Sequence, residues 1–104
     1  MARPLPAPIA TYFAATSPAE FADCFTDDAQ VTDERRTHRG RDEILHWREE
    51  VAKISFQQAI LATRGEGDTF VVTCRVSGDF PGSPVELNNT FTLAGDKIAA
   101  LSID

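Results

Sequence analysis

The sequence predicts an α+β fold in which three helices cover one face of a curved antiparallel sheet of four strands. Up to residue 54, apolar residues recur every three to four positions, the period of an amphipathic helix. After residue 55 they recur at every second position, the period of a strand. Turn residues separate the later segments, as in RGEGD at 64–68 and FPGSP at 80–84. At 104 residues the chain can bury one core, so we predict a single domain over 1–104.

The first two predicted helices are short. Pro4, Pro6 and Pro8 predict an extended lead-in, with Pro8 at a first helical position. The first helix then has an apolar stripe formed by Ile9, Tyr12, Phe13 and Thr16. The second helix opens on SPAE, where Ser17 caps the N-terminus and Glu20 completes a capping box, and its buried stripe is Phe21, Cys24 and Phe25.

A short strand, AQVTD, precedes the third helix. Gly40 opens this helix, and Asp42 and Glu43 follow where the helix dipole favours carboxylates. Its predicted apolar stripe is Ile44, Trp47, Val51 and Ile54. We interpret the arginine-rich residues between strand and helix, Arg35 to Arg41, as a solvated basic loop, or else as an anion-attracting rim over a pocket.

Four strands follow, in FQQAILAT, TFVVTCRVSG, VELNNTFTL and KIAALSI, with AGD at 94–96 as a tight hairpin turn. In the second of these, one face carries Phe70, Val72, Cys74 and Val76. In the third, Val85, Leu87, Phe91 and Leu93 share a face. From this alternation we expect Trp47, Phe70, Val72, Phe91 and Leu93 to be buried.

Composition excludes several classes of function. The net charge of −6 argues against a nucleic-acid surface. No apolar run approaches 18 residues and the first residues lack the apolar core of a signal peptide, so we expect a cytoplasmic protein without a membrane partner. The spacing of Cys24 and Cys74 predicts buried, reduced thiols. His38 and His46 have no matching acid or cysteine spacing, and we expect neither a metal nor another cofactor.

Three polar side chains fall on faces that are otherwise apolar. Asp33 shares a strand face with Ala29 and Val31, Asn89 lies on the apolar face of its strand, and Tyr12 lies on the stripe of the first helix. A buried polar group without a partner costs about 1–3 kcal/mol, so three of them indicate either a satisfied network or a pocket with a polar base. Each also has an ordinary structural explanation.

Those structural explanations remain open at this point. Asp33 could pair with Arg35, Arg36 or Arg39 at the end of its strand. Tyr12 could be an ordinary core tyrosine, and Asn89 could bond a neighbouring loop.

The order of elements and the run FADCFTDDAQVTDERRTHRGRDEILHW resemble the SnoaL-like branch of the nuclear transport factor 2 superfamily. Members carry an F-x-D-D-A-x-V-x-D entry into the first strand and a glycine that opens the third helix. The matching positions here are Phe25, Asp27, Asp28, Ala29, Val31, Asp33 and Gly40. The resemblance implies a cone-like sheet wrapped around the helices, a small apolar or aromatic ligand and a homodimer formed through the outer sheet face.

Within that superfamily, the resemblance to ketosteroid isomerase implies roles for the three polar residues. Asp33 matches the general base, Tyr12 matches the tyrosine of the oxyanion hole, and Asn89 stands where that enzyme has a protonated aspartate. An asparagine donates a hydrogen bond at any pH, though more weakly than a carboxylic acid. The expected ligand pocket also contains five apolar or aromatic residues, Phe13, Val31, Trp47, Phe70 and Phe91.

Two functions follow from these observations. One is an isomerase or polyketide cyclase-like enzyme without a cofactor, in which Asp33 removes a proton next to a carbonyl while Tyr12 and Asn89 bind the enolate oxygen. The other is a non-catalytic module that binds a small ligand or forms a dimer. A closed apolar pocket around Asp33 favours the enzyme, and an Asp33 paired with arginine in solvent favours the module.

Overall fold

A computed structural model describes residues 5–104. The helices are α1 Ala7–Ala14, α2 Pro18–Asp23 and α3 Gly40–Val51. The strands are β1 Phe25–Asp33, β2 Arg36–Arg39, β3 Phe56–Glu66, β4 Thr69–Gly78, β5 Val85–Ala94 and β6 Lys97–Ile103. The start of the predicted lead-in, residues 1–4, lies outside the described residues. The α+β class and the curved, unclosed sheet with helices on one side are confirmed.

The sheet has six strands in the order β2-β1-β6-β5-β4-β3, two more than the predicted meander of four. The meander itself forms as predicted, because β3, β4, β5 and β6 pair as antiparallel neighbours. The additional pairing joins β1 to β6 in parallel, with Val31 opposite Leu101 and Asp33 opposite Ile103. This pairing makes the AQVTD segment part of the second strand from the edge of the sheet, between β2 and β6.

The segment 35–41 was predicted as a loop, but Arg36–Arg39 forms β2, which makes a β-hairpin with β1, and Gly40 and Arg41 already belong to α3. Asp33 pairs with Arg36, so that only Glu34 and Arg35 make the turn. Both turn residues have positive φ, 53° and 67°, the conformation of a type I′ turn, which glycine or asparagine usually occupies. The sequence carries neither residue here and β2 has no apolar alternation, which explains why the prediction was wrong.

The capping signals of the helices are confirmed in part. Ser17 Oγ accepts a hydrogen bond from the Glu20 backbone N–H at 3.3 Å, and Pro18 opens α2. The Glu20 carboxylate does not reach the Ser17 backbone; it accepts bonds from the hydroxyls of Thr16 and Ser17. α3 begins at Gly40, whose φ of 81° suits a residue without a side chain.

The core lies between the helices and the inner face of the sheet. Trp47, Val72 and Phe91 are buried as predicted, whereas Phe70 and Leu93 are half-buried. Cys24 and Cys74 are buried free thiols. Four residues of the predicted helical stripes lie outside the helices: α1 ends before Thr16, α2 ends before Cys24 and Phe25, and α3 ends before Ile54, which is exposed. Over residues 5–104, no helix is long and apolar enough to cross a membrane.

Candidate functional site

A wide cleft of about 1520 Å³ opens between α3, the β1–β2 hairpin and the inner face of the sheet. One wall is apolar and is formed by sheet residues, Val76, Val85, Leu87 and Ile103. The opposite wall is polar and comes from the hairpin and α3. Tyr12, Asp33 and Asn89, the three polar residues that the sequence placed on apolar faces, all line this cleft. Tertiary folding therefore brings them into one site.

Asp33 is the last residue of β1, and its half-buried carboxylate is held by a tryptophan. The indole Nε1–H of Trp47 donates a hydrogen bond to Asp33 Oδ2 at 3.0 Å. Within residues 5–104, neither of the two ion pairs includes Asp33, so the side-chain ion pair with Arg35, Arg36 or Arg39 that the sequence left open is not formed. The other oxygen, Oδ1, accepts no hydrogen bond from the described residues and is free to act on a ligand.

The hairpin and α3 hold each other at the mouth of the cleft. The imidazole of His38 on β2 stacks on the Trp47 ring, with centroids 6.0 Å apart and planes inclined at 29°. The indole that donates a hydrogen bond to Asp33 is thus covered on one face by His38 of β2. Because Asp33 lies directly before the turn, the hairpin also determines where its carboxylate points.

Arg48 is the functional candidate that the sequence analysis missed. Its side chain is buried, with 8% of the residue exposed, and it lines the cleft beside Trp47. The guanidinium carbon lies 3.7 Å from the centroid of the Phe21 ring and 5.0 Å from that of Trp47. Burial lowers the pKa of this guanidinium, and attraction to Tyr12 and Asp33 opposes the shift. Burying such a cation carries a desolvation free-energy penalty, which a nearby anion can offset.

A signal for Arg48 was present in the helical period. Ile44, Trp47, Arg48 and Val51 follow the spacing i, i+3, i+4, i+7, which places an arginine on the buried stripe of α3. Arg48 is therefore a polar residue on an apolar face, as Asp33, Asn89 and Tyr12 are.

Tyr12 reaches the cleft from α1 and is 1% exposed. Its ring packs edge-on against four phenylalanines, Phe13, Phe21, Phe25 and Phe91. Arg48 Nη1 donates a long hydrogen bond of 3.5 Å to the Tyr12 hydroxyl, which leaves the phenolic hydrogen available to a ligand oxygen. Burial raises the Tyr12 pKa to about 12, so the phenol is a neutral hydrogen-bond donor over the physiological range.

Asn89 is buried on β5, opposite Val72 of β4. Its side-chain Nδ2 donates to the carbonyl oxygen of Val72 at 3.1 Å, and this bond orients the amide against the neighbouring strand. One of its two amide hydrogens is therefore engaged within the protein. A ligand oxygen would have to bind the second hydrogen, which makes Asn89 a weaker candidate donor than Tyr12.

The predicted apolar pocket residues are divided among different places. Trp47 lines the large cleft, and Phe13 lines a second, smaller cleft that Arg48 also lines. Val31 and Phe91 are fully buried core residues, and Phe70 packs against that core from a half-buried position. These last three line neither of the two clefts.

The comparisons with known proteins agree with this fold. The family model of the SnoaL-like domain matches residues 9–101, from within α1 to within β6. The chain belongs to the SnoaL-like family. No protein in the curated set is similar enough to count as a match.

Solved structures place this SnoaL-like domain among proteins of the same fold. A candidate polyketide cyclase from Sinorhizobium meliloti is 38% identical, with a TM-score of 0.91 over 96% of this chain and 95% of its own. A protein with a ketosteroid isomerase-like fold from Catenulispora acidiphila, in complex with trimethylamine, is 18% identical over 97% and 86%, with a TM-score of 0.83. An NTF2-like protein from Cytophaga hutchinsonii is 10% identical over 93% and 85%, with a TM-score of 0.74. The last two show the fold alone.

Proposed function

We propose that this SnoaL-like domain binds a small, largely apolar carbonyl compound in the large cleft and that Asp33 acts on it as a general base. The single observation that carries the proposal is the Asp33 carboxylate, held by Trp47 through one oxygen and unoccupied at the other, on the wall of a cleft with an apolar side. The reaction would be an isomerisation or a cyclisation that proceeds through an enolate. The related S. meliloti protein, a candidate polyketide cyclase, supports this reaction class.

The proposed chemistry uses two sides of the cleft. Asp33 Oδ1 removes a proton from the carbon next to the carbonyl, and the resulting negative charge develops on the carbonyl oxygen. Tyr12 donates its phenolic hydrogen to that oxygen, and the positive charge of Arg48 beside the Tyr12 hydroxyl stabilises the oxyanion. In an isomerisation, the neutralised Asp33 returns the proton to another carbon of the ligand. In a cyclisation, the enolate carbon bonds a second carbonyl carbon of the ligand, and the oxygen of that carbonyl takes the proton from Asp33.

A non-catalytic binding module is the second candidate function. The resemblance to ketosteroid isomerase calls for a second carboxylic acid, and Asn89 stands at that position with its amide bonded to Val72. A site with one acid and a partly engaged amide still binds a carbonyl or phenol oxygen. It provides less stabilisation for an enolate, since an amide is a weaker donor than a neutral carboxylic acid.

Proton exchange in D₂O tests the proposal. A panel of small cyclic ketones and enones is incubated with the protein, and ¹H NMR follows the loss of signal from protons next to the carbonyl. We expect exchange above the buffer rate for some members, and a loss of about 10²- to 10⁴-fold in Asp33→Asn. Asparagine keeps an oxygen that accepts from Trp47 but cannot take the proton.

The matched control is Asp96→Asn, which removes one charge at an exposed turn position remote from both clefts. It should exchange protons like the unaltered protein. Exchange that persists unchanged in Asp33→Asn contradicts the role of the base. Ligand-induced shifts of the Trp47 indole resonance without any exchange favour the non-catalytic module.

A further inference from the structure

A second cleft of about 450 Å³ adjoins the large one, and Arg48, Phe56 and Gln58 line both. Its volume falls within the range of about 300–1,000 Å³ that is common for small-molecule sites. The lining comes from α1, α2, α3 and the first residues of β3: Phe13, Ala15, Phe21, Arg48, Phe56, Gln58 and Ile60. Among these residues, Arg48 alone is charged.

Arg48 has hydrogen-bonding capacity that the described residues leave unused. Its Nε is the one buried side-chain nitrogen or oxygen within residues 5–104 that has no hydrogen-bond partner. Nη1 of Arg48 makes one hydrogen bond, the long one to the Tyr12 hydroxyl. Neither ion pair of the described residues includes Arg48. A guanidinium packed against Phe21 is covered on that face of its plane, so its N–H edges remain the positions where a partner can bind.

A carboxylate is the partner that matches such an edge. Two carboxylate oxygens accept parallel hydrogen bonds from two guanidinium nitrogens, and these bonds are about twice as strong as those between neutral groups. Ligand binding would also supply the counter-charge that a buried arginine lacks in the protein.

The charges of the two clefts decide which of them the anion enters. Six acidic residues line the large cleft, Asp33, Glu34, Asp42, Glu43, Glu50 and Asp104. Their charges repel a carboxylate, even though Arg35 and Arg36 are also present. The small cleft presents no acidic residue, and three phenylalanines and Ile60 provide an apolar wall. Ile60 is 44% exposed, which leaves apolar surface for a ligand to cover.

We propose that the small cleft is a binding site for an aromatic carboxylate. The carboxylate bonds the N–H edge of Arg48, and the aromatic body packs against Phe13, Phe56 and Ile60. Arg48 lines both clefts, but this site does not include Asp33 and does not use the proton transfer proposed for the large cleft.

Calorimetric titration of the full chain with phenylacetate tests the site, and phenylacetamide serves as the neutral analogue of the same shape. We expect phenylacetate to bind at least about tenfold more tightly than the amide. Arg48→Met should raise the dissociation constant of phenylacetate by about 10- to 100-fold, the range expected on losing hydrogen bonds to a charged group. Its melting temperature should be unchanged or higher, because the variant removes a buried unpaired charge.

A pair of variants at an exposed position keeps the test valid if Arg48→Met fails to fold. Ile60→Glu places a like charge next to the proposed carboxylate, and Ile60→Gln is the uncharged control of the same size. We expect Ile60→Glu to bind phenylacetate at least about tenfold more weakly than Ile60→Gln. Asp33→Asn should bind phenylacetate as well as the unaltered protein does.

Three results would overturn the proposal: equal affinity for phenylacetate and phenylacetamide, equal binding by the two Ile60 variants, or loss of phenylacetate binding in Asp33→Asn. The last result would move the ligand to the large cleft. Because the exchange assay follows Asp33 and this titration follows Arg48 and Ile60, failure of one proposal is distinguishable from failure of the other.

Discussion

Asp33 points towards the interior, where its carboxylate accepts a hydrogen bond from a buried donor. Val31, on the same face of β1, is fully buried, and two residues later the strand reaches the edge of the cleft. The Trp47 indole N–H meets the carboxylate at that point. A buried indole also needs an acceptor, so the pair satisfies both groups and leaves Asp33 Oδ1 for a ligand.

Tyr12 is the residue whose titration should be visible in the stability of the protein. Its pKa is about 12 when folded and 10.0 when unperturbed, chiefly because burial disfavours the phenolate. The folded state therefore holds the phenolic proton more tightly than the unfolded state. The corresponding stability is fully present below pH 10 and is lost as the pH rises through 12.

We expect the free energy of unfolding of the unaltered protein to fall by about 2–3 kcal/mol more than that of Tyr12→Phe between pH 9 and 12. Urea denaturation of both proteins across this pH range measures the difference. Other groups that titrate in alkali, such as Cys24 and Cys74, are common to both proteins and cancel. Parallel curves for the two proteins would contradict the raised Tyr12 pKa.

At the scale of elements, the β1–β2 hairpin is the part of the structure that most directly forms the mouth of the cleft. Its turn residues Glu34 and Arg35, and Arg36, Thr37 and His38 of β2, all line that cleft. The turn holds two residues with side chains at positive φ, which costs about 1 kcal/mol or more per residue. The hairpin is thus held in place by strand pairing and by His38 on Trp47, rather than by favourable turn residues.

Replacing the turn with its preferred residues should stabilise the protein. We expect Glu34→Asn with Arg35→Gly to raise the free energy of unfolding by about 1–2 kcal/mol, because Asn-Gly suits both positions of a type I′ turn. Urea denaturation measures the change. The control Arg36→Gly makes the same arginine-to-glycine change at the adjacent position, which lies in β2. It should lower the free energy of unfolding by about 0.5–1 kcal/mol. A double variant less stable than the unaltered protein would refute the turn assignment.

At the scale of the whole molecule, the outer face of the sheet is the surface to test for self-association. Val71 and Thr90 are directly opposite each other on β4 and β5, and Thr73 and Thr92 flank them on the same face. We propose that two copies pack through this face. Since it is rich in threonine, we expect a dimer with a micromolar dissociation constant rather than an obligate one.

Sedimentation velocity between about 1 and 50 μM should show a monomer–dimer equilibrium, a range chosen around the affinity expected for a small polar interface. Val71→Glu puts a charge at the centre of the proposed interface and should give a monomer throughout. Ala19→Glu, an exposed substitution on α2, is the control that leaves association unchanged. A monomer at the highest concentration of the unaltered protein would rule out this interface.

The sequence by itself determined the local structure and the direction of most side chains. A period of two placed Asn89 and Phe91 on one face of β5, a period near 3.6 placed Tyr12 and Trp47 on buried helix faces, and all four are buried. These properties depend on neighbours within a few residues, so a local pattern can encode them. The β1–β2 hairpin could not be predicted from periodicity, because β2 has no apolar alternation.

Only the tertiary structure decided how those side chains meet. Asp33 and Trp47 are 14 positions apart in the chain, and Tyr12 and Arg48 are 36 apart. Their contacts require β1 to pair in parallel with β6 and α3 to pack across the sheet. No periodicity within a single segment specifies such a pairing, because its free energy comes from apolar surface buried between distant segments. The two clefts that Arg48 lines exist only in that assembly.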